Sequence, residues 1–190
     1  DTGISQIEQK FGRIDLLINN AGIWGPIANL WDADPGEWWR TMEIHIGGTF
    51  LCSRAVLPGM ISRNSGRIIN IVSNAGVFRW PTCSAYSVSK AAVVKLTENL
   101  GAELRRHRVT VFAFHPGLLP IGLSAKATGM EEEPGSPAGR AIEWVRSEIA
   151  ADRAVSPKRA ADFITALAKG QGDLLSGRYL TVFDDLPALA

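Results

Sequence analysis

Apolar residues recur along this chain at two spacings, and the switches between them lay out the elements. Short, mainly apolar runs rich in β-branched residues lie at 14–18, 67–72, 109–114 and 179–183, with the length and composition of strands. Between them, apolar residues three to four apart mark helices. Ile4, Ile7 and Phe11 do so over residues 2–11, which Gly12 stops. Met42, Ile46, Phe50, Ala55 and Leu57 do so over a long helix at 35–63. Asp34 caps that helix and Pro35 opens it. Gly47-Gly48 predicts close packing or a bend, and Pro58 a kink. Further helices are predicted at 84–107, at 141–150, and from the Ser156 cap to about 169, with Ala161, Ile164 and Leu167 facing inward. Residues 124–139, polar and rich in Gly and Pro, read as a mobile loop or lid. Glu131, Glu132 and Glu133 within it read as solvated surface. Strand and helix alternate and every strand is apolar, the run at 14–18 suiting a strand buried on both faces, so the predicted class is α/β: a doubly wound parallel sheet in one domain, residues 1–190.

In such sheets ligands bind beyond the carboxyl ends of the strands. Asn19-Asn20-Ala21-Gly22, Ser73 and Pro116-Gly117 all fall at those ends. Tyr86 and Lys90, just past one of them, are one helical turn apart and share a face. A free tyrosine, with a pKa of about 10, is a poor acid or base at neutral pH. A neighbouring ammonium favours the phenolate and lowers that value. A tuned phenol gives a proton to a carbonyl oxygen or takes one from an alcohol. Ser73 is placed to hold the same oxygen. Taken singly, a Tyr-x-x-x-Lys spacing, a serine after a strand and an Asn-rich turn are all ordinary features of structure.

Composition narrows the classes. A formal net charge of +1 gives no electrostatic reason to expect nucleic acid or an acidic membrane as partner. No apolar run approaches a membrane span, and no signal peptide is read. Cys52 and Cys83 show neither a CxxC motif nor metal spacing and read as buried free thiols in a reducing cytosol, with a disulfide between them as the unsupported alternative. The chain starts on Asp inside a helix-patterned segment, which reads as a piece of a longer chain or a shortened relative of one.

Asn-Asn-Ala-Gly at 19–22, Ser73, Tyr86 thirteen residues later, Lys90 and Pro116-Gly117 together resemble the short-chain dehydrogenase/reductase family over essentially all 190 residues. The resemblance implies a Rossmann-like fold and hydride transfer between NAD or NADP and a carbonyl or secondary alcohol. Tyr86 is then the acid/base, with Lys90 lowering its pKa and binding the nicotinamide ribose, and Ser73 holds the substrate oxygen. Asn20, Ala21 and Gly22 pack by the cofactor ribose, and Pro116, Gly117 and Leu119 by the nicotinamide. No metal is implied. The resemblance also implies a cytoplasmic homo-oligomer, a dimer or tetramer, built on the two long helices.

Three departures stand out. The family's N-terminal Gly-rich turn is absent, and with it the residue that separates NAD from NADP. His45 stands where an Asn usually holds a proton-relay water; it orients that water or is a packed core histidine. Ile121 stands where a Thr often grips the carboxamide. Without the first strands, residues 14–18 are expected to form an open edge, leaving the 190-residue chain a weak cofactor binder prone to aggregate. The alternative function is a catalytically impaired or scaffold domain that lost its cofactor half; an extended-family epimerase fits the Asn-Asn-Ala-Gly form poorly. Trp24, Phe78, Trp80, Leu118 and Leu119 suit an apolar or ring-containing substrate.

Overall fold

A computed structural model describes residues 2–189. Four parallel strands form one sheet in the order β1 (Leu16–Asn19), β2 (Gly66–Ile71), β3 (Val109–His115), β4 (Tyr179–Thr181). The helices are α1 (Thr2–Phe11), α2 (Pro35–Met42), α3 (Gly48–Ser62), α4 (Ser84–Glu103), α5 (Leu123–Thr128), α6 (Pro137–Ala150), α7 (Pro157–Ala168) and the short α8 (Leu186–Leu189).

The sheet is covered on both faces because alternate strand residues point to opposite sides. Ile68 and Val111 pack with Val56 and Met60 of α3 and Leu100 of α4. Their neighbours Ile69 and Phe112, which face each other in register, pack with Ala160 and Leu167 of α7 and with Leu180. Ala160, not Ala161, is the inward residue of α7: Ala161 is exposed.

Several expectations change. The first strand is not buried on both faces. Leu17 packs toward α3, but Leu16 and Ile18, on the opposite face, stay 36% and 41% exposed. Among the described residues only β2 bonds to β1, so it is the edge the sequence predicts. The helix at 35–62 runs on without a break through Gly47-Gly48. A wider π turn at Glu43–Gly47 takes up the irregularity, and a side chain added at either glycine would meet nothing, so close packing is not their reason. Residues 123–128 and 137–140 are helical, which shrinks the expected loop. Ser136 caps α6 by accepting a hydrogen bond from the Gly139 N–H at 2.9 Å. One 18-residue window of the helix Pro35–Ser62 reaches a mean hydropathy of 1.2, enough by length and composition for a membrane span, which the run-by-run reading of the sequence does not register. Val56 and Met60 of this helix belong to the core, whereas Phe50 and Leu51 are exposed.

Candidate active site

Ser73 ends the stretch after β2 in extended conformation. Its hydroxyl accepts the Ala75 N–H at 3.2 Å and so caps the single 3-10 turn Asn74–Gly76. That turn lies directly on α4: a Cβ at Gly76 would sit 2.7 Å from the Lys90 carbonyl carbon and 2.8 Å from the Ala91 nitrogen. Gly76 is thus the joint that sets Ser73 against the helix carrying Tyr86 and Lys90.

Tyr86 and Lys90 do share a face. The Lys90 Nζ lies 5.6 Å from the Tyr86 ring centroid and donates to the Ile71 carbonyl at 2.9 Å. The electrostatics differ from the expectation. Burial pushes the Tyr86 phenol above its ordinary value, the facing Ser73 hydroxyl works in the opposite direction, and Lys90 contributes no resolved lowering. The ammonium stands over the ring and is itself desolvated, which lowers the Lys90 pKa to about 8. In this state the lysine titrates before the tyrosine.

His45, in the π turn, is 1% exposed. Its Nε2 accepts the Ile23 N–H at 2.9 Å, and its Nδ1 lies 2.6 Å from Ser89 Oγ. The Ser89 hydroxyl donates to the Tyr86 carbonyl at 2.8 Å, so the imidazole proton sits on Nδ1 and points at that oxygen. Both ring nitrogens are therefore taken, and none is left to orient a water. In this arrangement His45 is a positioning residue, tying the segment after Gly22 to α4. Its ring also stands edge-on to Tyr86, with centroids 5.6 Å apart. Burial, then the Lys90 charge, lower its pKa to about 4.

Ser73 and Tyr86 open into one cavity of about 110 Å³, walled by Trp24, Trp80, His115, Gly117 and Leu118 among others. Trp24 stacks on the Tyr86 ring at 5.7 Å, and Trp80 meets Trp144 of α6 edge-on at 5.1 Å. Leu118, not Leu119, is on this wall: Leu119 packs into the core beside α7. Phe78 is exposed and off the cavity. Asn20 and Ala21 are exposed at the end of β1, while Gly22 lies close against His45. Ile121 is exposed.

Sequence reasoning missed a polar chain under this end of the sheet. Asn19 donates to Asn70 at 2.8 Å, and Asn70 donates to Thr97 of α4 at 2.9 Å, which fixes the end of β1 to the tyrosine helix. The available signal was a lone amide, Asn70, inside an apolar run. Nothing local marked Ser89 or Trp144.

Residues 1–132 match the family model for short chain dehydrogenases. The chain is 33% identical, over 98% of its length and 71% of the relative's, to 2-(S)-hydroxypropyl-CoM dehydrogenase 3 of Xanthobacter autotrophicus. It is 31% identical to the short chain dehydrogenase pigC of Monascus ruber, covering 96% of this chain and 55% of that protein. Its backbone superposes with a TM-score of 0.81 on a gluconate 5-dehydrogenase from Burkholderia cenocepacia in complex with NADP and tartrate, 28% identical, over 98% of this chain and 70% of that one. An NAD+-bound xylitol dehydrogenase gives 0.80 at 28% identity, over 95% and 72% of the two chains. The chain belongs to the short-chain dehydrogenase family. It spans about half the length of several of the curated relatives it matches.

Proposed function

We propose that the full-length protein is an NAD(P)-dependent oxidoreductase acting on a secondary alcohol or its ketone, with Tyr86 as acid/base. The observation that carries this reading is the single cavity into which Ser73 and Tyr86 both open, with the Lys90 ammonium behind the phenol.

The residues present fit a nicotinamide nucleotide. Lys90 is buried, has no carboxylate partner among the described residues, and spends one of its three N–H donors on the Ile71 carbonyl. The others are free for ribose hydroxyls. Asn20, Ala21 and Gly22 end β1, and Pro116 and Gly117 follow β3, on the same edge of the sheet. When bound, the nicotinamide accepts or supplies the hydride. The protein handles the proton. In oxidation Tyr86 Oη takes the alcohol proton as the C–H electron pair leaves as hydride; in reduction the phenol returns a proton to the carbonyl oxygen. Ser73 holds that oxygen, and Trp24 over the phenol keeps bulk water from it. The relatives' NAD+ and NADP support the cofactor class without choosing between them. Exposed Phe50, Leu51 and Val88 on α3 and α4 support a homo-oligomer joined through these helices.

The direct test follows reduced cofactor at 340 nm while the full-length protein meets a panel of ketones with NADH and with NADPH. Turnover with at least one cofactor is expected; none across the panel would leave the scaffold reading in its place.

The Gly76 joint adds a prediction. Gly76→Ala pushes the Ser73 turn off α4, and a displacement near 1 Å costs about 10²-fold in rate. Steady-state kinetics beside a melting curve separate this from unfolding: kcat/KM falls by that order while the fold persists.

A further inference from the structure

We infer that the substrate of this site carries an anionic group, a carboxylate or a similar oxyanion, held by Arg79 and Arg140. This rests on the oxidoreductase reading above and narrows it to a substrate class. Beside the catalytic cavity lies a second hollow of about 420 Å³, lined by Arg79, Trp80, Cys83, Arg140 and Trp144 among others. The two have Asn74, Trp80 and Trp144 in common among their lining residues, so they lie side by side. Ser73 and Tyr86 line the first hollow, Arg79 and Arg140 line the second, and the Trp80–Trp144 pair borders both. A molecule filling both has a reacting carbon at one end, a flat apolar body and an anion at the other.

Surface arginines are commonly paired or merely solvated. Five ion pairs occur among the described residues, and none includes Arg79 or Arg140. Arg140 spends one donor on the Gly135 carbonyl, which steadies its fork, and keeps the rest. Glu132 and Glu143 line a separate hollow that also includes Arg140, yet neither forms an ion pair with it. Two planar cations on one apolar-walled cleft suit bidentate recognition of a carboxylate.

The test compares two ketones of nearly equal shape, 4-acetylbenzoate and neutral 4-acetylbenzamide, reduced by the full-length protein at low ionic strength. The carboxylate is expected to be preferred through KM. Arg79→Ala and Arg140→Ala each weaken that preference about tenfold, which corresponds to about 1.4 kcal/mol. Arg140→Lys restores part of it, and added salt erodes it. Equal use of the two ketones by the unmodified protein, or arginine variants that depress both alike, would overturn the anionic subsite. So would failure to reduce either ketone. In each case, Tyr86-dependent reduction of other, neutral ketones leaves the oxidoreductase reading standing, and its absence brings that reading down as well.

Discussion

Replacing Tyr86 by Phe in the full-length protein lowers kcat by about 10³-fold, the scale of a lost general acid/base, while KM for the ketone changes little. The variant keeps the ring that Trp24 and His45 pack against and deletes only the hydroxyl, so folding is preserved. The pH profile carries a second signature. Burial holds the phenol above its ordinary value, so the phenolate that alcohol oxidation needs grows with rising pH. Oxidation therefore accelerates into the alkaline range. Reduction, which uses the protonated phenol, does not. The alkaline rise in oxidation vanishes in Tyr86→Phe. A variant that turns over within a few-fold of the parent would remove Tyr86 from the mechanism.

The second large effect is on stability in acid. His45 has a folded pKa of about 4 against an ordinary 6.5, so between these values the unfolded chain binds more protons. The stability contributed by neutral His45 is complete above pH 6.5 and drains as pH falls toward 4. The loss reaches about 3 kcal/mol at full protonation. His115, likewise lowered to about 4 by burial, adds in the same direction. The geometry says where the strain falls. A proton on Nε2 of His45 would face the Ile23 N–H, donor against donor, and release the segment after Gly22. Circular dichroism of the full-length protein between pH 7 and pH 4 should show a steep fall in denaturant midpoint, blunted in His45→Gln. Equal midpoints across that range would contradict the assignment.

The framework of the fold was legible because all four strands announce themselves as apolar runs and helix starts carry their own chemistry. Asp34 accepts the Glu37 N–H at 2.8 Å and Ser156 accepts the Arg159 N–H at 3.2 Å, as the cap signals predict. The Ser73, Tyr86, Lys90 set was legible because helical spacing and strand ends convert directly into geometry. What was not legible depends on contacts between distant segments. The direction of the Tyr86 shift follows from how deeply the ring and the ammonium are buried together, which no spacing reports. The engagement of both His45 nitrogens needs Ile23 and Ser89 at once. The burial of β1 was misjudged because an apolar run does not say how far the covering helices extend over it. The partnership of Arg79 with Arg140 joins residues sixty-one positions apart, with α4, β3 and α5 between them.

The one-sided bonding of β1 has a measurable outcome in exchange with heavy water. In a parallel pair only alternate amides of a bordering strand point toward its neighbour. Deuterium should enter every second N–H of Leu16–Asn19 rapidly in the 190-residue chain, a fast–slow alternation that β2, bonded on both flanks, does not share. Repeated on a longer version of the protein, the same trace reports whether additional backbone has docked along that flank.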